Sequence, residues 1–301
     1  MMFSWQYKEK EPMQVKTFLK QQGVSKGLLA QVKFQGGKIE VNQKETKSIY
    51  KLSFNDHIQI TVPDDEGTPN IEPSDLPIDI AFEDDHFLIV NKPAGVASIP
   101  SNVHPKDTMA NRVKGYFNQN EYPNKVIHIV TRLDRDTSGL MFFAKHRYAH
   151  ALIDQELRDK RVIKKYTAII SGHLKKQHGH IDAPIARTSD SIITRRVHES
   201  GKPALTEYWV KEEFEKNTLV DIQLHTGRTH QIRVHFSSVG FPLMGDSLYG
   251  GKENKCVQRQ ALHCRELSFY HPFLKERIVL IADYPKDIQN WRSQQIHGIT
   301  S

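Results

Sequence analysis

Apolar residues recur at helical spacing near the start of the chain, first as Val15, Phe18 and Leu19 and then as Leu28, Leu29 and Val32. Pro12 stands where a first helical position is expected, Gly23 stops the first pattern, Ser25 is placed to cap the second, and Gly36 and Gly37 end it. After those glycines the period changes to two: Ile39 and Val41 alternate with polar residues, and Ile58, Ile60 and Val62 share one face. The pattern predicts helix, helix, then a small sheet. Further on, Phe87, Leu88, Ile89 and Val90 form a short apolar run that ends in NKPAGV, where Pro93 and Gly95 turn the chain. A buried strand feeding a loop is expected there. The apolar stretches VIHIV and GLMFFA then enclose a charged segment, TRLDRDTS, and KKYTAII reads as a further strand carrying Tyr166.

Charge divides the chain in a way that hydropathy does not. Residues 1–63 carry ten Lys and five acids, for +5. Residues 64–85 carry nine acids and no Lys or Arg, for −9, while residues 86–301 carry 32 bases and 21 acids, for +11. Two basic bodies are therefore expected on either side of an acidic segment that contains Pro69, Pro73 and Pro77 and reads as an exposed linker. The 301 residues are long enough for two domains at roughly 150 residues each. A basic body suits a polyanionic partner, although a pI of 9.2 also serves solubility alone. With 38% hydrophobic residues, a mean hydropathy of −0.56 and no apolar run near the ~20 residues of a membrane span, a membrane protein is excluded. The first residues lack the pattern of a secretory signal and two cysteines make no disulfide framework, so a cytoplasmic protein is expected.

The charged segment is where chemistry is expected. Asp134 and Asp136 lie among Arg132 and Arg135 between two core strands. A carboxylate held ionised at such a place needs a cation or several donors, since an unpaired buried charge costs several kcal/mol. The local arginines or a distant one must supply that, and LHTGRTHQIRVH offers Arg228 and Arg233. Arg suits the task through its planar, two-pronged geometry. Tyr166 offers a face on which a flat base stacks, a contact of ~1–3 kcal/mol, comparable to the cost of turning a nucleotide out of a helix. Asp136 rivals Asp134, but Asp136-Thr137-Ser138-Gly139 also reads as a turn in which short side chains bond the backbone. Tyr166 taken alone also reads as an ordinary core aromatic. His225, His230 and His235 recur every five residues, which puts successive side chains on opposite faces of a strand, so no metal site is expected from them. Cys256 and Cys264 lack paired ligand spacing and are expected as reduced thiols. Arg187, Arg195, Arg196 and Lys202 form either a loop gripping phosphates or a solvated face.

Two family resemblances sharpen this reading. EDDHFLIVNKPAGV, TRLDRDTSGLMFFAK, KKYTAII, GKPALTEY, LHTGRTHQIRVH, PLMGDSLYG and ALHCRELSFYHP occur in the order seen in the RluA/RluD family of pseudouridine synthases, over most of residues 80–285. Over residues 12–63 the pattern LLAQVKFQGGKIEVNQ followed by LSFNDHIQI resembles an S4-type RNA-binding domain, with Lys26 and Asn55 where that family often has Arg and Gly. The resemblance implies an α+β protein: residues 1–63 an S4-like αα-β domain, 64–78 the linker, and 79–295 a catalytic domain with a central mixed, mainly antiparallel, bent sheet. It implies isomerisation of uridine to pseudouridine, with Asp134 catalytic, Arg228 its salt-bridge partner, and Tyr166 stacking on the uracil and implicated in removing the ring-carbon proton. Arg132 is then the residue that fills the gap left by the flipped nucleotide. Lys16, Lys20, Lys26 and Lys33, with Arg195, Arg196 and Lys202, are the remaining expected RNA contacts. Thr131 stands where many members have His, and altered packing or RNA contact with retained chemistry is expected. Because atoms are only rearranged, neither a redox cofactor nor a nucleotide is required. The expected partner is structured RNA, ribosomal (large subunit) before transfer RNA, bound by a monomer. The rival readings are a non-catalytic RNA-binding or ribosome-assembly factor and a glycosidase that releases free base.

Overall fold

The computed structural model describes residues 1–64, 71–188, 191 and 193–297. The N-terminal body contains β1 (Met2–Gln6), β2 (Met13–Gln14), α1 (Val15–Gln21), α2 (Lys26–Phe34), β3 (Lys38–Val41), β4 (Lys44–Glu45), β5 (Lys51–Leu52) and β6 (His57–Thr61). The helix–helix–strand order follows the apolar periodicity. Ser25 caps α2 by accepting from the Leu28 N–H at 3.2 Å. The expected helix start at Pro12 is displaced, because Met13 and Gln14 first pair with β5. β1 was not foreseen; its antiparallel pairing with β6 makes it an edge of the β1-β6-β3-β4 sheet.

The larger body continues with β7 (Ile80–Glu83), β8 (Phe87–Lys92), α3 (Met109–Gln119), β9 (His128–Ile129), β10 (Ser138–Ala144), α4 (Arg147–Arg158), β11 (Ile163–Ser171), β12 (His178–Asp182), β13 (Ile185–Arg187), β14 (Arg195–Val197), β15 (Leu205–Glu213), β16 (Asn217–Leu224), α5 (Gln231–Ser238), β17 (Leu262–His271), β18 (Glu276–Ile281) and α6 (Lys286–His297). Ten strands form one sheet in the order β12-β15-β16-β11-β17-β10-β8-β7, with β18 on β17 and β9 on β10. The β10–β17 pair is parallel and the others are antiparallel, so the sheet is mixed. Gly139 permits the parallel contact: a Cβ there falls 2.2 Å from the Cys264 carbonyl oxygen, at a φ of +111°. Every residue of β10 is buried, as its apolar run GLMFFA requires of a central strand. Among the described residues, no helix is long and apolar enough to cross a membrane.

The acidic segment is not a free tether throughout. Residues 65–70, including Pro69, lie outside the described residues, but Ser74 is buried against α3. Its N–H donates to the Asn111 carbonyl at 3.0 Å and its Oγ to Asp107 at 2.7 Å. Gly115 makes room, since a Cβ there meets the Ser74 carbonyl oxygen at 1.9 Å. The two bodies also touch directly. Phe3 meets the Tyr148 ring edge-on at 4.7 Å, and Tyr148 on α4 donates to the Gln22 carbonyl at 2.6 Å.

Candidate active site

Asp134 lies in the loop between β9 and β10, and the backbone is pinned on both sides of it. Ser98 Oγ donates to the Leu133 carbonyl at 2.6 Å and accepts the Leu133 N–H at 3.0 Å. Buried Lys92 donates to the carbonyls of Pro93, Val96 and Arg135 at 2.9, 2.7 and 2.8 Å. Burial draws the Lys92 amine down to about 7, with Asp136 and then Asp134 acting against it. Three carbonyls match the three N–H donors of the charged form. The NKPAGV turn and the loop bearing Asp134 are thereby tied together.

The cation on Asp134 is Arg233, not Arg228. Arg233 Nη1 donates to Asp134 Oδ2 at 3.2 Å, while its Nε and Nη2 grip Asp246 at 2.7 and 2.8 Å. Arg228 lines the same cavity, but its Nε donates to the Pro203 carbonyl at 3.0 Å. The reason lies in helix geometry. Arg233 sits in the first turn of α5, and helical side chains lean toward the N-terminus, here toward the loop carrying Asp134. Burial alone would lower the Arg233 pKa, but the Asp246 and Asp134 carboxylates outweigh it and raise it.

A second group approaches the same carboxylate oxygen. His230, in the left-handed region with φ 56°, places Nε2 at 3.8 Å from Asp134 Oδ2. Its Nδ1 lies 2.8 Å from Tyr249 Oη, which already accepts the Arg195 N–H at 3.0 Å. In the tautomer in which Tyr249 donates to Nδ1, the imidazole proton is on Nε2, facing Asp134. Burial lowers the His230 pKa, so the ring is neutral at physiological pH. The Tyr249 ring also lies beneath the Arg233 guanidinium, 4.9 Å from centroid to Cζ.

Tyr166 completes the wall. It stands on β11 where the register with β17 shifts between Lys165 and Tyr166, an irregularity of the kind that re-aims a side chain beside a site. Burial, reinforced by Cys264, raises its hydroxyl pKa well above the ordinary range, so the phenol stays protonated. Asp134, Tyr166, Arg228, His230, Arg233 and the Ser98 loop surround a cavity of about 480 Å³, within the roughly 300–1,000 Å³ of ligand pockets. Asp136 is held away by its neighbour, Arg135, through Nε at 3.0 Å and Nη2 at 2.9 Å.

The expected RNA contacts are spread over several surfaces. Arg132 is exposed on the cavity rim. Arg195 lies in the β13–β14 hairpin beside α5 and donates to its neighbours' carbonyls, Ile193 at 2.9 Å and Thr194 at 2.8 Å, while Arg196 and Lys202 are exposed. Lys16, Lys20, Lys26 and Lys33 are exposed on the N-terminal body and do not line the cavity. Thr131 is buried, with its Oγ1 accepting the Phe142 N–H at 3.1 Å. Sequence reasoning missed Asp246 and Tyr249, which lie in PLMGDSLYG, Lys92, which lies in NKPAGV, and Ser98, two residues beyond it.

Comparisons with known proteins point to one family. A family model described as RNA pseudouridylate synthase matches residues 86–238. The chain is 41% identical over 276 residues to the uncharacterized RNA pseudouridine synthase YjbO of Bacillus subtilis (strain 168), covering 92% of this chain and 97% of that protein. It is 38% identical over 230 residues to the ribosomal large subunit pseudouridine synthase D of Haemophilus ducreyi, covering 72% of this chain and 70% of the relative. Among solved structures, human RNA pseudouridylate synthase domain containing 1 superposes with a TM-score of 0.54 at 25% identity, covering 74% of this chain and 98% of the human one.

Proposed function

This chain belongs to the RNA pseudouridine synthase family and is an isomerase, and from that premise we propose that Asp134 starts the reaction on a uridine of large-subunit ribosomal RNA. The observation that carries the proposal is the contact of Arg233 with Asp134 inside a cavity walled by Tyr166. In the reaction the bond from ribose C1′ to ring N1 breaks, the uracil turns, and C5 bonds to C1′ as its proton leaves and N1 gains one. The Asp134 carboxylate either attacks C1′ or removes a sugar proton, and both routes use the same placement. Arg233 aims that carboxylate and supplies its countercharge. Tyr166 provides the face against which the detached uracil is kept, so that the second bond forms before escape. The proton-acceptor role that the resemblance implies for Tyr166 requires it first to pass on its own proton.

Ribosomal RNA is favoured because several relatives, at 35–38% identity, are named ribosomal large subunit pseudouridine synthase D. We assign the N-terminal body, with its exposed lysines, an S4-like role in gripping structured RNA. Arg132 takes the place of the flipped nucleotide, and the protein works as a cytoplasmic monomer. Mapping pseudouridine across total RNA from cells with and without the protein tests the substrate. Loss at one or more large-subunit positions supports the proposal; loss confined to transfer RNA, or no loss, contradicts it.

A further inference from the structure

At the opposite end of the sheet from β7, three histidines converge on one carboxylate. In β12, His178 and His180 share a face by the two-residue period, and the register sets His180 opposite Glu207 of β15. Beyond β16, the chain keeps pairing, since the His225 N–H donates to the Leu205 carbonyl at 3.2 Å. His225 therefore joins the same face. His178 Nε2 and His180 Nε2 lie 2.8 and 3.2 Å from Glu207 Oε1, and His225 Nε2 lies 2.7 Å from Oε2. The His178 ring is held flat against Trp209, 5.0 Å away at 7°.

We propose that His178, His180 and Glu207 form a binding site for a divalent transition ion of the zinc class, with His225 orienting the carboxylate. The potential ligand atoms all lie within 4.8 Å of one another. Tetrahedral bonds of about 2.0–2.2 Å separate ligands by about 3.3 Å, so only small side-chain shifts are needed. An ion takes the place of the two histidine contacts to Oε1, while His225 keeps Oε2. That is the usual arrangement of an outer hydrogen bond fixing a ligand's orientation. Two imidazoles favour zinc-class ions over magnesium or calcium, which prefer all-oxygen sites. His178 and His180 are about half exposed, at 49% and 48% of their side chains, leaving remaining coordination positions for water or a phosphate oxygen. Leu224, the residue before His225, lines the cavity, so by the strand's two-residue period the histidine cluster lies on the other face of the sheet.

The test uses the full chain without an affinity tag, stripped with chelator and titrated with Zn²⁺ alone by calorimetry. Co²⁺ serves as a second probe, read by the visible absorption of a tetrahedral complex. One equivalent of Zn²⁺ is expected to bind and to raise the thermal midpoint. His178→Ala and His180→Ala should each weaken binding by at least tenfold and abolish the rise in midpoint. His225→Ala should weaken it by roughly 10-fold, and His198→Ala should leave it unchanged. Absence of stoichiometric binding, or binding that survives both His178→Ala and His180→Ala, overturns the proposal. The cluster is then only a hydrogen-bonded network.

Discussion

Arg233 holds Asp134 at 3.2 Å with one nitrogen while its other two grip Asp246, a side chain only 1% exposed. The arginine is thus fixed from behind by one carboxylate and presents its remaining donor to another. A point charge on a flexible stem cannot reproduce that geometry.

Arg233→Lys should therefore lower turnover by roughly 100-fold, the scale of losing a fixed electrostatic contact at a reacting group. Arg228→Lys should change turnover by less than about threefold, since a lysine keeps the charge at a site that does not grip Asp134. Single-turnover kinetics on one RNA substrate compares the two directly. Equal losses would remove the distinction between the arginines.

Asp246→Asn leaves the buried Arg233 guanidinium without its main counter-ion. Breaking a buried pair from one side costs about 3–5 kcal/mol, so the variant should unfold at markedly lower urea. Stability equal to the parent protein would show that Arg233 does not depend on Asp246.

For the N-terminal body, deletion is a poor probe because Phe3 and Gln22 contact Tyr148 on α4. Substituting Gln at Lys16, Lys20, Lys26 and Lys33 together is cleaner, as all four are exposed. Each lost phosphate contact should reduce the slope of log affinity against log salt by about 0.7–0.9. A slope identical to that of the parent protein would take these lysines out of RNA binding.

His146 makes stability depend on pH. Burial, aided by the neighbouring His86, pushes it down to about 3 from 6.5. Its Nδ1 accepts the Ala149 N–H at 3.1 Å as the cap of α4, a role only an unprotonated nitrogen can fill. The unfolded chain binds this proton below pH 6.5 and the folded chain does not, so stability is full above 6.5 and declines as pH falls toward 3. The slope is about 1.4 kcal/mol per pH unit for this one group. His146→Asn retains a capping side chain, and urea unfolding between pH 6.5 and 4.5 should then show a shallower dependence by about that amount. An unchanged slope would assign the acid sensitivity to other groups, such as buried His263, whose burial takes it to about 4.

Much of this arrangement is legible in the chain itself. The change of period after Gly37, the Ser25 cap and the apolar run of β10 follow from local patterning. Asp134 and Asp136 stood out together as charges, and only the family resemblance chose between them, while the expected core strand VIHIV is reduced to the half-buried β9. What local patterning does not contain is the path of the chain in space. β1 earns its place only by pairing with β6, some fifty residues away. Arg228 and Arg233 read alike until the start of α5 sets which one faces the loop. Asp246, Lys92 and His178 take their roles from partners on distant strands, which spacing alone cannot reveal.

The most direct measurement is tritium release from RNA carrying 5-tritiated uridine, made with Asp134→Asn beside the parent protein under single-turnover conditions. The account predicts a loss of roughly 10⁴-fold or more in rate, with RNA affinity kept within a few fold. Release at the parent rate from the variant, bound equally well, would contradict it.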